Sequence, residues 1–224
     1  MHYFLNGGRD ERAVLQYIES LALYSELGVK NMLVIPYAIM EDDWQRLWHE
    51  NKALFSVPGL HISSLTTYDT DKKLIAKEIA KADFVYLPGG VQKTLLGRME
   101  EMGTGQILRQ AIQSGSLKLL GGGSAGAMVM GSKCIVGKKN VEAFVDGLGY
   151  MPGYVIDSHF SNRNREARLQ SVLYDNRRLI GVGIDEDTAA VFTENFALQA
   201  AYGAGTVTIY YPNKTERYDS NTIF

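Results

Sequence analysis

Short apolar runs without polar interruption recur along the chain, at residues 3–5, 32–35, 84–87 and 154–156. A strand wet on one face alternates apolar and polar residues, whereas an unbroken run marks a strand covered on both faces, as in a parallel sheet flanked by helices. The stretches between the runs carry apolar residues three and four apart, the helical period. Val14, Ile18, Leu21 and Ala22 form one such set, with Gly28 placed to stop the helix. Residues 41–54 form another, with Trp44, Leu47 and Trp48 as core anchors, and residues 71–80 and 105–114 predict two more. Residues 60–65 and 179–184 add strands, and from Ser161 or Asn162 a helix carries Leu169, Val172 and Leu173 on its buried side. Strand and helix therefore alternate, which predicts a mostly parallel α/β sheet. Residues 189–192, 196–200 and 206–210 predict a closing antiparallel set, while residues 131–149 predict only irregular or short strands.

One stretch organises the rest. The run at residues 117–120 leads into Gly121-Gly122-Gly123-Ser124-Ala125-Gly126-Ala127, then Met128-Val129-Met130. This predicts strand, sharp turn and helix, a GxSxG elbow in which Gly122 and Gly126 flank an exposed serine hydroxyl. The helix starting at Ala125 aims unpaired N–H groups and a positive dipole end at the same point. Ser124 is thus expected to be a nucleophile, with the Ala125 N–H as an oxyanion donor. Gly121, Gly123 and Gly126 also fit the GxGxxG dinucleotide fingerprint. That motif normally opens the first strand–helix unit, and this one follows several. Gly89-Gly90 after the run 84–87 falls at the same edge of the sheet, so a second oxyanion donor is expected from the Gly90 N–H.

Composition narrows the class of partner. The 224 residues carry 23 Lys and Arg against 25 Asp and Glu, a formal charge of −2 with a pI near 6.1. A nucleic-acid binder would show a basic excess, so none is expected. The single cysteine, Cys134, excludes an internal disulfide and a cysteine-cluster metal site. No stretch of 18 apolar residues occurs, and the start of the chain has no basic or long apolar segment. A cytoplasmic protein of one domain, residues 1–224, without metal or cofactor, follows as the expectation.

A serine attacks a carbonyl only when a base takes its proton. Of the four histidines, His2 opens the chain, His49 falls on a helix surface and His61 lies within a strand. His159 alone follows a strand, 154–156, at the edge where Ser124 is expected. The acid orienting it stays open on placement: Asp157 precedes it by two residues, Asp185 and Glu186 end the next strand, and Glu142 and Asp146 lie between nucleophile and base.

Taken together, the elbow, Pro88-Gly89-Gly90-Val91-Gln92, Asp157-Ser158-His159-Phe160 with Arg163, Arg165 and Arg168, and Gly183-Ile184-Asp185-Glu186-Asp187-Thr188-Ala189 resemble the dipeptidase E and cyanophycinase family of serine exopeptidases. The resemblance implies a flavodoxin-like three-layer sandwich of the class I glutamine amidotransferase type, a Ser-His-acid triad and cleavage beside an aspartyl residue. It also implies that the third member falls between elbow and histidine, which favours Glu142. Gln92, Asp157, Arg163, Arg165 and Arg168 are expected to hold the substrate. Ser158 stands where the cyanophycinase pattern has Gln, a departure that bears on the polymer substrate, and the expected substrate class is a small acidic peptide or isopeptide. No nucleic acid or membrane partner is expected, and a homodimer is kept open. The competing readings are a non-catalytic ligand-binding member of the fold and an esterase-type hydrolase.

Overall fold

The computed structural model describes residues 1–9, 26–40, 45, 49, 52–137, 143–220 and 222–224. The expected helix over Val14 to Ala22 and the anchors Trp44, Leu47 and Trp48 lie outside them. The first half of the chain builds the larger sheet from β1 (His2–Asn6), β2 (Asn31–Val34), β3 (His61–Ser64), β4 (Phe84–Leu87) and β5 (Leu119–Gly123). These five are parallel in the spatial order β1-β5-β4-β2-β3. Every residue of β4 and β5 is buried, which for β4 is what the uninterrupted run at residues 84–87 predicts.

Helix α1 (Lys72–Lys81) starts on an Asp71 cap whose carboxylate accepts from the Lys73 N–H, and it buries Ile75 and Ile79. Helix α2 (Gln92–Glu101) follows β4 directly. The sequence pattern does not single it out, because its buried stripe is only Leu95 and Met99. Helix α3 (Thr104–Gln113) corresponds to the period at residues 105–114. Among the described residues, no helix is long and apolar enough to cross a membrane.

After the elbow helix α4 (Ala125–Met128), the chain enters a second sheet that the sequence pattern does not separate from the first. Its strands are β6 (Gly131–Val136), β7 (Ala143–Asp146), β8 (Met151–Asp157) and β9 (Ile180–Ile184), with helix α5 (Glu166–Asp175) between the last two. Strands β6, β8 and β9 run parallel, and β7 closes one side antiparallel. Helix α5 begins later than expected. Residues Ser161–Arg163 form a single 3-10 turn, and Asn164 takes a left-handed conformation, φ 51°, that interrupts the helical path.

The C-terminal strands divide between the sheets instead of forming one antiparallel set. Strands β10 (Thr188–Phe192) and β11 (Leu198–Gly203) extend the larger sheet beyond β1, with β14 (Thr222–Ile223) at its edge. Strands β12 (Thr206–Tyr210) and β13 (Thr215–Asp219) extend the smaller one beyond β9. One apolar cluster joins the two sheets: Leu5, Leu120 and Ala190 from the larger share it with Val155, Val182 and Ile209 from the smaller. The carboxyl ends of β5, β8 and β9 thereby converge on one place.

Candidate active site

Ser124 follows the last residue of β5 and caps α4, with φ 48° and ψ −110°. This is a strained conformation for a residue with a side chain, and it swings the hydroxyl out of the strand–helix junction. Two glycines permit it. A Cβ on Gly126 would lie 1.8 Å from the Leu87 carbonyl oxygen, and one on Gly122 would lie 2.5 Å from the Gly126 carbonyl carbon. The Ser124 N–H donates to the Asn6 carbonyl at 2.9 Å, which ties the turn to the end of β1.

Strand β8 ends at Asp157, and two residues later His159 brings its ring to the serine. The distance from Ser124 Oγ to His159 Nε2 is 2.8 Å. The other ring nitrogen, Nδ1, lies 2.8 Å from Glu186 Oε1. A carboxylate only accepts, so Nδ1 carries the proton and donates to Glu186, leaving the Nε2 lone pair to accept from the serine hydroxyl. His159 is 8% exposed, and burial pushes its pKa below the ordinary histidine value. The Glu186 hydrogen bond opposes that shift, while Arg163 and Arg165 add to it. The imidazole is therefore neutral near pH 7, the form that accepts a proton.

Glu186 is reached because β8 and β9 are parallel neighbours, with Asp157 opposite Gly183. His159 lies two residues past that pair and Glu186 three. The turn is held by Asp185, which is 6% exposed. Burial opposes ionisation of Asp185, but hydrogen bonds from the Ser161 hydroxyl and N–H and from the Thr206 hydroxyl and N–H hold its carboxyl below the usual range. The Glu186 N–H donates to Asn162 Oδ1 at 2.8 Å. Arg9 Nη1 stands 3.5 Å from Glu186 Oε2, and Arg163 Nε 3.6 Å from Oε1.

The remaining candidates separate. Glu142 lies outside the described residues. Asp146 is exposed on β7 and pairs with Lys133 at 2.6 Å. Asp157, expected at the substrate, is instead fully buried, because Arg168 clamps its carboxylate through Nε and Nη2 and Arg165 Nη1 stands 3.3 Å away. Arg165 also donates to the Ser158 carbonyl at 2.7 Å. Two of the three expected substrate arginines are thus engaged by an interior carboxylate. Arg163, 44% exposed, lies beside Glu186. Gln92 opens α2 and donates to the Met128 thioether at 3.3 Å. Ala125 is the first residue of α4, so its N–H has no carbonyl one turn back within the helix. Gly89 adjoins Ser124, and Gly90, at φ 145°, follows it. Among the other histidines, His49 and His61 are exposed.

Glu186 was legible in part. It belongs to an acidic cluster at the end of the strand after the histidine strand, and parallel pairing of those two strands brings their ends together. Arg9 had no comparable signal, since a lone arginine after a glycine turn carries no pattern.

A serine on a strand–turn–helix elbow, hydrogen-bonded to a histidine that is hydrogen-bonded to a glutamate, on an α/β scaffold, defines the serine hydrolase class. Within that class the family follows from sequence. Residues 5–199 match the profile of peptidase family S51, and the chain belongs to that family. A cyanophycinase of Geminocystis herdmanii is 41% identical over 138 residues, covering 58% of this chain and 50% of that protein. A cyanophycinase of Synechococcus elongatus is 35% identical over 188 residues, covering 80% of this chain and 58% of that protein. The chain spans about half the length of the curated relatives it matches. Among solved structures, a peptidase from an acI-B1 Actinobacterium superposes over 100% of this chain and 96% of its own, with TM-score 0.78 at 21% identity. A putative peptidase E protein from Listeria monocytogenes EGD-e covers 97% of this chain and 98% of its own, with TM-score 0.65 at 18% identity. At these identities the two structures establish the shared fold.

Proposed function

We propose that the protein is a serine exopeptidase that hydrolyses small aspartyl peptides or isopeptides. The observation that carries this reading is the unbroken series Ser124 Oγ–His159–Glu186, with both links at 2.8 Å and an imidazole held neutral. In the first half-reaction Ser124 Oγ attacks the scissile carbonyl carbon while His159 Nε2 takes the hydroxyl proton. Glu186 holds Nδ1–H and stabilises the imidazolium that forms. The negative charge on the former carbonyl oxygen falls to the Ala125 and Gly90 N–H groups. His159 then returns its proton to the departing amine, the C–N bond breaks, and an acyl-serine remains. Water attacks the acyl carbon with His159 again as base, and the carboxylate product leaves with Ser124 restored.

Preference for an acidic group rests on Arg163, whose exposed guanidinium lies beside the catalytic carboxylate. A second carboxylate arriving with the substrate would share that cation through paired hydrogen bonds. Gln92, at the start of α2, supplies an amide for the substrate backbone once its weak thioether contact is exchanged. Kinship with cyanophycinases supports the aspartyl substrate class.

The test is labelling with a fluorophosphonate followed by turnover of α- and β-linked aspartyl dipeptides, each free and N-blocked. Labelling at Ser124, turnover of free dipeptides and rejection of blocked ones is the expected result. Absence of labelling at Ser124 would sink the covalent mechanism. Equal turnover of asparaginyl counterparts would sink the acidic specificity.

A further inference from the structure

Four consecutive residues at the end of β1 touch every segment that carries the candidate triad. The Asn6 carbonyl accepts from the Ser124 N–H, the Gly7 carbonyl from the His159 N–H, and the Gly8 carbonyl from the Asp187 N–H, each at 2.9 Å. The fourth residue, Arg9, places its guanidinium 3.5 Å from Glu186 Oε2. Nucleophile, base and acid segments are thus met in the order Asn6, Gly7, Gly8 and Arg9, although they come from two different sheets.

The loop is itself fixed. Asn6 is buried, and its side-chain Oδ1 accepts from the Gly8 N–H at 2.5 Å. The Gly7 N–H donates to the Thr188 carbonyl at 2.9 Å. Gly8, at φ 94°, lies against the edge of the imidazole: a Cβ there would sit 2.4 Å from His159 Cε1 and 2.8 Å from Nε2. No side chain fits between this backbone and the ring, and Nε2 is the atom that meets the serine. His159 itself has φ 49°, so its backbone is not held by intrinsic preference and needs outside support.

We propose that the loop of residues 6–9 is a registering device, in which Gly8 seats the His159 ring and Arg9 acts as a positioning residue on Glu186. The inference rests on the triad reading above and adds an element to it. A hydrogen bond of 2.8 Å between Oγ and Nε2 tolerates little displacement, and a misplacement of about 1 Å can cost about 100-fold in rate. An exposed guanidinium near a carboxylate has a weaker effect, a factor of roughly 2 to 5, because solvent screens it.

The experiment compares wild type with Gly8→Ala, Arg9→Met and Arg9→Lys by the rate of Ser124 labelling with a fluorophosphonate, by kcat and KM, and by the His159 ring-proton NMR signals, assigned with His159→Gln. Gly8→Ala is expected to slow labelling about 100-fold and to shift the ring signals. Arg9→Met is expected to lower kcat roughly 2- to 5-fold with KM unchanged, and Arg9→Lys to restore it. Should Gly8→Ala fail to fold, the Arg9 pair and the ring signals decide. Ring signals and labelling rates at wild-type values in every folded variant would overturn the proposal. A rise in KM at constant kcat in Arg9→Met would also overturn it, by making Arg9 a substrate contact. If wild type itself is not labelled, the proposed function fails, and the ring signals alone then decide the role of the loop.

Discussion

At the scale of single residues the site divides labour by environment. Ser124 and His159 both have positive φ, an arrangement that side-chain-bearing residues adopt only where surrounding contacts impose it. Replacing either Ser124 or His159 with Ala should remove nearly all activity, and the double variant should lose little more, because triad members act as a unit. Additive losses in steady-state kinetics would contradict that. If Glu186 fixes the imidazole tautomer and charge, Glu186→Gln should depress kcat by several orders of magnitude with KM nearly unchanged. The same substitution at Glu142 serves as the comparison, and a larger loss there than at Glu186 would move the orienting role. The pH dependence follows from the direction of the His159 shift. The pKa is lowered, so the neutral base persists below the ordinary value of about 6.5 and is lost only as pH falls through the lowered value. The acid limb of kcat/KM should therefore lie below 6.5, and a limb above it would refute the assigned environment.

Local pattern singles out the serine and the histidine that the structure brings within hydrogen-bond distance. The glycine spacing around Ser124 has few uses other than a sharp elbow, and His159 is alone among the histidines in following a strand on the right edge. The acid was not fixed by such means. Placement kept several carboxylates open, and family resemblance favoured Glu142, whereas the structure places Glu186 on Nδ1. Strand neighbours are set by packing across the molecule, which no local spacing records.

Elements show the same limit. The unbroken apolar runs locate β1, β2, β4 and β8 because burial on both faces leaves its mark residue by residue. The start of α5 was misplaced because Asn164 interrupts the helix after Ser161–Arg163, in favour of a turn that lets Arg165 and Arg168 both reach Asp157. That ion cluster lies under the histidine segment: Arg165 holds the Ser158 carbonyl, one residue before His159. Removing the carboxylate leaves two guanidiniums facing a vacant interior position. Asp157→Ala should therefore destabilise the protein by about 3 to 5 kcal/mol, the usual cost of breaking a buried pair from one side. Urea unfolding monitored by circular dichroism measures it, and a loss under about 1 kcal/mol would mean the cluster is solvated in a way its burial does not suggest.

On the scale of the whole molecule, the candidate triad depends on how two sheets meet. Ser124 comes from the larger sheet, His159 and Glu186 extend from strands of the smaller, and a shared apolar cluster fixes their separation. The partition was hidden in the sequence because β8 and β9 read as ordinary parallel strands; only long-range pairing assigns them to a second sheet. If the cluster is one cooperative unit, a cavity in it should weaken activity and structure together. Ile209, 1% exposed on β12, belongs to that cluster. Ile209→Ala should cost about 2 to 5 kcal/mol, from lost burial and the cavity left behind. Its urea midpoints for activity and for circular dichroism should fall in parallel, by the amount that loss implies for an unchanged slope. Activity disappearing at a urea concentration well below the dichroism midpoint would show that the sheets separate before they unfold, and that the triad is held by its loops and not by the common core.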